Sequence, residues 1–358
     1  MRYFVTVLLV LLSLSSFGQG SQSFEFKKIY SYALQEDVQK ILLTLDTIPD
    51  AALTEEQRDV KEKYLRRFKY QNETVDYNTS DPMLQHLLRL YHAYWRKALL
   101  HKQHVQKYDE QLQDSIAAFL ISHNYNADTL MQQDLAANFG PHLKSFLKQE
   151  GYFAATGKTG NLFDLFVWPK EDTVVYTIKL PETEVETKVV FVEDPVTMGW
   201  EEYATFGKYY PGGWATKELL YSVAKAYDKS SENFRVSYLT HEAQHFADYK
   251  TYPNLTGADL EYRAKLTELV YAEETLYNLL GTFIRNASKE NRNAHAFANY
   301  AVIRDLSKAV FDEEFVDDLQ QWKQVPKKKI RKKSKALLKR NSEGLQDAGA
   351  DTVTEFIF

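Results

Sequence analysis

The sequence contains no cysteine. Disulfide bonds, thiolate metal ligands and cysteine nucleophiles are therefore excluded, and so is a lipid anchor attached to an amino-terminal cysteine. Any metal ion must be held by histidine, aspartate or glutamate side chains. The stability of the folded chain must come from its apolar core and from any ion that it binds.

A large excess of charge of one sign is also missing. The formal net charge is only -5 over 358 residues, with 44 lysines and arginines against 49 aspartates and glutamates. Such a chain has no general positive field to attract nucleic acid, so we expect no nucleic-acid partner for its body. Hydrophobic residues make up 44% of the sequence, which is enough to build a globular core.

Long apolar runs are absent after the first residues of the chain. Met1 and Arg2 precede an apolar run from Tyr3 to Leu14, which gives way to small residues at Ser16 and Gly18. A basic start followed by a short apolar run and small residues is typical of a cleaved signal peptide, and an uncleaved membrane anchor is the alternative. The sequence predicts a signal peptide over residues 1–19 and a secreted or periplasmic protein without a stable membrane span after cleavage.

The region 20–150 has the apolar spacing of packed helices. Thr54 and Gln57 have the spacing of a capping box, and Asp81 with Pro82 predicts the start of another helix. Four of the six histidines in this region lie close together in the sequence, but the lysines and glutamines between them indicate a solvated helix face rather than a metal cluster. They are His86, His92, His101 and His104.

The middle of the chain changes to β-branched and aromatic residues. Thr173–Lys179 and Lys188–Val192 are predicted strands of a hairpin or small sheet, and Trp214–Val223 is a further candidate strand. After Ser231 the pattern is helical nearly to Trp322. We therefore expect an α+β fold that is predominantly helical, with a helical region 20–150, a second region 151–325 and a basic tail 326–358.

The segment HEAQH, from His241 to His245, carries the clearest chemical pattern. Two histidines four positions apart lie on one helix face, so both imidazoles can bind a single ion. Glu242 is rotated by about one hundred degrees from His241, which places its carboxylate beside the ion as a general base. A buried helix would not keep these polar groups without partners, and a metal ion satisfies them.

This motif resembles the active-site helix of the zincin metallopeptidases, and most closely the gluzincin branch; the similarity covers roughly 209–280. It implies a zincin-like catalytic region, a zinc cofactor and a glutamate on the next helix as third ligand. Glu261 with Ala264 matches the E-x-x-A pattern of that helix, so Glu261 is the predicted ligand. Glu268, seven residues on and hence on the same helical face, and Asp259 are the alternatives.

The same resemblance suggests roles for two more residues. His295 could stabilise an oxyanion, as a histidine or tyrosine does in gluzincins, or it could be a packing histidine. Asp248, three positions after His245, could accept a proton from a zinc-bound imidazole, or it could be an exposed carboxylate. Trp214–Val223 is where zincins place the edge strand that pairs with an extended substrate.

The predicted function is that of a zinc-dependent hydrolase, most plausibly a metallopeptidase acting on peptide or protein substrates with Glu242 as general base. Two alternatives stay open. One is a catalytically inactive zincin-fold protein that binds or has a structural role, and the other is a zinc amidase acting on a non-peptide or cell-wall amide.

The basic tail suggests one additional contact. Nine lysines and arginines fall between Lys327 and Arg340, a density that can bind anionic surfaces. A solvated terminal helix is the alternative interpretation.

Overall fold

The computed structural model describes residues 6–8, 21–125, 132–216, 218–289 and 294–357. The predicted signal peptide, residues 1–19, lies outside this part of the chain except for Thr6–Leu8.

The fold is α+β and predominantly helical, as predicted. Its helices are α1 (Ser21–Leu34), α2 (Val38–Thr47), α3 (Glu55–Tyr64), α4 (Pro82–Leu100), α5 (Val105–Ser122), α6 (Gln132–Ala137), α7 (Phe139–Gln149), α8 (Gly199–Ala204), α9 (His241–Thr251), α10 (Gly257–Tyr271), α11 (Leu276–Arg285), α12 (Ala294–Phe311), α13 (Leu319–Lys323) and α14 (Lys327–Ala348). Its strands are β1 (Thr6–Leu8), β2 (Phe153–Thr159), β3 (Leu162–Trp168), β4 (Lys170–Lys179), β5 (Glu184–Glu193), β6 (Thr197–Met198), β7 (Gly213–Ala215) and β8 (Leu220–Val223).

The chain forms two compact units. The first unit contains the described residues of Leu9–Glu171 together with Val192–Pro211. The second contains Thr6–Leu8, Asp172–Phe191 and the described residues of Gly212–Phe358. Each unit buries its own apolar residues. Helices account for most of the residues in both units.

The helices of the first unit begin where their capping residues predict. Thr54 and Gln57 form a capping box at the start of α3, and the Asp81 side chain accepts a hydrogen bond from the Met83 backbone NH at the start of α4. Tyr91 and Trp95 of α4 are fully buried in the core of this unit. The Trp95 indole donates a 2.9 Å hydrogen bond to the Phe163 carbonyl oxygen, which joins α4 to β3.

The first unit also contains a three-stranded antiparallel sheet in the order β2-β3-β6. Phe153 pairs with Trp168 at one end of the β2–β3 hairpin, and Thr159 pairs with Leu162 at the other. Gly160 has a φ of 60°, in the left-handed region that a tight two-residue hairpin turn requires. The sequence analysis predicted no strand before β4, so this hairpin was missed.

The second unit contains a sheet with the order β1-β7-β8-β5-β4. The predicted hairpin corresponds to β4 and β5. The predicted single strand Trp214–Val223 forms two strands instead, because the chain turns and β7 pairs antiparallel with β8, with Trp214 opposite Tyr221. On its other side β7 pairs antiparallel with β1, with Val7 opposite Trp214.

The helical part of the second unit is organised around α10, which packs against α9, α12 and α14. The basic tail of the sequence is α14. Its buried residues recur every three or four positions, so one face packs inward while the other carries the lysines. They are Ile330, Ser334, Leu338, Asn341 and Leu345. Within the described residues, no helix combines the length and the apolar character that a bilayer span requires.

Candidate metal centre

The HEAQH segment lies at the start of α9, which directly continues another helical segment. A π-helical segment, Asn233–Thr240, leads directly into α9 at His241. The residues from His241 to Asp248 are all buried, because α9 packs against α10, β7 and the π-helical segment. Both histidines of the motif therefore point into protein rather than solvent.

His241, His245 and Glu261 place one potential ligand atom each within 4.8 Å of one another. The two Nε2 atoms of His241 and His245 lie 3.1 Å apart. Oε1 of Glu261 lies 3.2 Å from Nε2 of His245, and Oε2 lies 3.6 Å from Nε2 of His241. Atoms about 2.0–2.1 Å from a tetrahedral zinc ion are separated from one another by about 3.3 Å. Each of the three distances is close to this ligand spacing, and the two distances to Glu261 end on different oxygens of its carboxylate.

The second nitrogen of His241 is held by Glu268. Oε1 of Glu268 lies 2.6 Å from Nδ1 of His241, so a proton on Nδ1 leaves Nε2 free to face Glu261. A carboxylate on the outer nitrogen of a histidine ligand is a recurrent feature of metal sites, where it fixes the ring and its tautomer. Burial alone would lower the pKa of His241, but Glu268 and Glu261 raise it to about 10. The surroundings of His241 therefore favour a positive charge, which a proton or a metal ion can supply.

Glu242 is buried beside this group, and neither of its carboxylate oxygens has a hydrogen-bond partner among the described residues. Burial raises the pKa of Glu242 to about 8. An isolated buried carboxylate is costly unless a solvent molecule or ligand satisfies it. A carboxyl group with a pKa near neutrality is suited to accept and release a proton.

Two further side chains contact Glu261. Nδ1 of His295 lies 2.9 Å from Oε2 of Glu261, and the buried Lys265 ammonium lies 3.3 Å from the same oxygen. Burial on its own would raise the pKa of Glu261, but the nearby charges of His295 and Lys265 outweigh it and hold the pKa well below its usual range. Glu261 is therefore kept as a carboxylate, the form that binds a cation.

In its fully deprotonated form the site is negative. With Glu242, Glu261 and Glu268 ionised and the imidazoles neutral, Lys265 leaves a net charge of about -2, and the raised pKa values of Glu242 and His241 mean that bound protons offset this charge in the absence of another cation. Burial lowers the pKa of His245, which keeps its ring in the neutral form that binds metal ions. A divalent cation would balance the charge of the buried group.

The structure separates the two alternative ligands from the ion-binding triangle. Glu268 faces the outer nitrogen of His241, as described above. The Asp259 carboxylate accepts hydrogen bonds from the backbone NH groups of Phe356 and Ile357, at 3.1 and 2.9 Å. Asp259 thus tethers the carboxyl-terminal segment to the start of α10.

Asp248 is neither exposed nor bonded to an imidazole. Its Oδ2 lies 2.9 Å from Nε of Arg263, and its Oδ1 accepts a 3.0 Å hydrogen bond from the Gln244 side chain. Thr267 donates in turn to Gln244, at 2.9 Å. This polar chain links α9 to α10 and so fixes the relative position of the two helices that carry the ligands.

Sequence reasoning missed the contact between Lys265 and Glu261 and the pairing of Glu268 with His241. The spacing of four between Glu261 and Lys265 is a signal for the first contact, since such pairs are neighbours on a helix. In the part of the chain that the structure describes, His241, His245 and Glu261 form the one group of this kind that could hold a metal ion.

Comparison of the chain with protein-family models, with curated proteins and with solved structures found no match.

Proposed function

We propose that the protein is a zinc-dependent hydrolase, and specifically a metallopeptidase, with its metal centre at His241, His245 and Glu261. The observation that carries the proposal is the close approach of the three groups. The two Nε2 atoms lie 3.1 Å apart, and a Glu261 oxygen lies 3.2 Å from Nε2 of His245 (Oε1) and 3.6 Å from Nε2 of His241 (Oε2), distances near the ligand spacing around a tetrahedral zinc ion. Two imidazoles and one carboxylate form a donor set that suits zinc, and three protein ligands leave the fourth position for reactants, as in catalytic zinc sites.

A zinc ion at this place would supply Lewis acidity, by polarising a carbonyl group and by lowering the pKa of a water molecule. The protein supplies the proton transfers. Glu242 stands on the same helix with both carboxylate oxygens unpaired, so it can take a proton from the attacking water and pass it to the leaving amine. Glu268 holds the His241 ring in one orientation throughout.

His295 is the proposed second catalytic group. Its side chain is 28% exposed while Glu261 is fully buried, so His295 lies where the buried group borders solvent. From that position it can donate a hydrogen bond to the oxygen that becomes negative during attack on a carbonyl. The proposed substrates are peptides or proteins, met outside the cytoplasm after removal of residues 1–19.

The experiment that tests the proposal is elemental analysis of the purified protein, combined with a hydrolysis assay on a peptide library. We expect about one zinc ion per chain, in keeping with the one three-ligand group found among the described residues. His245→Ala and Glu261→Gln should lose the zinc, whereas Glu242→Gln should keep it and lose hydrolysis.

The possible outcomes separate the three functions under consideration. A wild-type protein that takes up no zinc on addition of the ion would refute the metal centre. Zinc binding without hydrolysis of any peptide, but with release of products from cell-wall amides, would favour an amidase. Zinc binding with no hydrolysis of either substrate class would favour a binding or structural protein.

A further inference from the structure

The first unit contains a polar cavity of about 300 Å³. None of the residues that line it belongs to the proposed metal centre. The cavity is lined by Glu73, Val75, Tyr77, Arg89, His92, Arg96 and Tyr203. A volume near 300 Å³ is at the lower end of the range for small-molecule sites. At about 30 Å³ per water molecule, the space would suit a ligand of about ten non-hydrogen atoms.

The cavity lies between one face of α4 and the extended segment 73–80. Arg89, His92 and Arg96 are three and four positions apart on α4, so they share one face of that helix. The extended segment 73–80 runs past them with alternating burial, and its inward positions include Glu73, Val75 and Tyr77. The segment is fixed at one end by Asn78, whose side chain donates a 2.9 Å hydrogen bond to the Pro195 carbonyl oxygen.

The charge of the lining is positive. Glu73 is the one acidic residue that lines the cavity, and it is engaged by Arg67 through two bonds of 2.7 Å, Nε to Oε2 and Nη2 to Oε1. Among the described residues, Arg89 and Arg96 form no ion pair with a carboxylate. Two arginine charges are therefore left without a counter-ion on one wall, which favours an anionic ligand.

Polar atoms on the same wall lack partners. Nε of Arg96 and Nδ1 of His92 are buried and make no hydrogen bond within the described part of the chain. Burying a polar group without a hydrogen bond is unfavourable, so such atoms usually have a ligand or solvent partner. Arginine is the side chain best suited to bind a carboxylate or phosphate through two parallel hydrogen bonds.

The rest of the wall is aromatic. The His92 ring lies between Tyr203, at a centroid distance of 4.6 Å, and Tyr77, at 5.4 Å. Arg67 covers the Tyr203 ring, with its guanidinium carbon 4.4 Å from the ring centroid. Tyr203 is buried by these contacts and holds the His92 ring in place, whereas Tyr77 is half-buried and offers apolar ring surface to the body of a ligand.

We propose that this cavity binds a small organic anion, with a phosphate or carboxylate group on Arg89 and Arg96 and a ring-sized body against Tyr77. The absence of an ion-pair partner for either arginine among the described residues and the unpartnered Nε of Arg96 carry the anionic half of the proposal. The aromatic wall carries the other half. All of these residues belong to the first unit, so the proposal is independent of the metal centre.

Isothermal titration calorimetry of the full chain tests the proposal with four probes: phenyl phosphate, benzoate, inorganic phosphate and phenol. Phenyl phosphate or benzoate should bind saturably at one site per chain. Phenol and inorganic phosphate should bind at least about tenfold more weakly, since each lacks one half of the recognised chemistry. Comparison of phenyl phosphate with benzoate identifies the preferred acidic group.

Variants locate the binding site. Arg96→Gln and Arg89→Gln should each weaken binding by about tenfold to a hundredfold, the effect of losing a hydrogen bond between charged groups. Arg89 is exposed, so its replacement leaves the fold intact even if Arg96→Gln does not. Arg58→Gln, at an exposed position on α3 of the same unit, is the matched control and should bind like wild type.

Three results would overturn the assignment. The first is the absence of saturable binding of either ring-bearing anion to the wild type. The second is binding that Arg89→Gln and a folded Arg96→Gln leave unchanged. Equal affinity for inorganic phosphate and phenyl phosphate would refute the part assigned to the aromatic wall.

Discussion

Oε1 of Glu268 lies 2.6 Å from Nδ1 of His241, while the Nε2 atom of the same ring lies 3.6 Å from Oε2 of Glu261. The two glutamates are seven positions apart on α10, so both lie on the face that packs against α9. One imidazole is therefore held between two carboxylates with different tasks. Glu261 is a member of the candidate ligand group, and Glu268 contacts the other nitrogen of the ring.

Glu268→Gln is expected to weaken zinc binding without abolishing it. Loss of the carboxylate behind a histidine ligand typically costs about 10–100-fold in metal affinity, because the ring is less well oriented and less basic. Competition with a chromogenic chelator measures the change. Glu274→Gln, at an exposed position just beyond α10, is the control and should bind zinc as the wild type does. An unchanged affinity in Glu268→Gln would contradict the orienting role.

Glu242→Gln is expected to separate metal binding from catalysis. Glutamine is nearly isosteric but cannot accept a proton, and the loss of a general base typically lowers the rate by about 10²–10⁴-fold. Zinc content should stay at the wild-type level, since Glu242 lies outside the ligand triangle. The assay is kcat/KM on the best peptide of the library, with elemental analysis of the same preparation. A variant that also lost its zinc would show that Glu242 is a ligand.

Stability of the first unit is expected to fall as the pH rises through neutrality. Burial raises the pKa of Asp164 to about 7 and that of Glu201 to about 8, and one oxygen of each lacks a hydrogen-bond partner. Because the folded pKa lies above the unfolded value, the contribution is fully present below about pH 4 and is lost as the pH rises to about 8. For each group the loss over this whole range is on the order of 4 kcal/mol.

Urea unfolding at a series of pH values from 5 to 9 measures this dependence. Asp164→Asn and Glu201→Gln should each flatten the decline, since a neutral amide takes no part in the titration. Asp114→Asn, at an exposed position on α5, should leave the decline unchanged. Equal slopes for all three variants would show that the two buried carboxyls do not cause it.

The buried ion pair between Asp248 and Arg263, with side chains 2% and 3% exposed, gives a further prediction. Arg263→Met should destabilise the protein by about 3–5 kcal/mol, since it leaves Asp248 buried and unpaired. Asp248→Asn combined with Arg263→Met should recover much of that loss. Chemical denaturation in the presence of a chelator measures both. A double variant that is less stable than Arg263→Met would contradict this account.

Local patterns predicted the parts of the site that depend on one helix. The spacing of His241 and His245 and the break at Pro253 before Thr256 predicted α9 and α10, because helix periodicity and capping are properties of short segments. Glu261 was chosen from the resemblance of Glu261 and Ala264 to the E-x-x-A pattern, and its role as a ligand stays a prediction. The contact of Glu268 with Nδ1 of His241 could not be predicted in this way. It depends on how two helices pack and on the rotamers of both side chains.

The hairpin β2–β3 was missed for a related reason. Gly157 and Gly160 interrupt the apolar pattern that would mark its strands, so that the segment resembles a loop. What makes it a hairpin is the burial of Leu162 and Leu165 against the helices of the first unit. The hairpin depends on packing between elements that are distant in the sequence, and a short window of sequence carries no information about that packing.

Helix α14 makes the charge distribution of the chain very uneven. The nine lysines and arginines from Lys327 to Arg340 have no acidic residue among them, and since the whole chain has a net charge of -5, the remainder carries -14. Four of them, Lys328, Lys332, Lys335 and Lys339, are exposed and recur at helical spacing. A protein with a calculated isoelectric point near 6.0 is therefore expected to be retained by cation-exchange resins as well as by anion-exchange resins at neutral pH. The strength of each interaction would report which face of the molecule meets the resin.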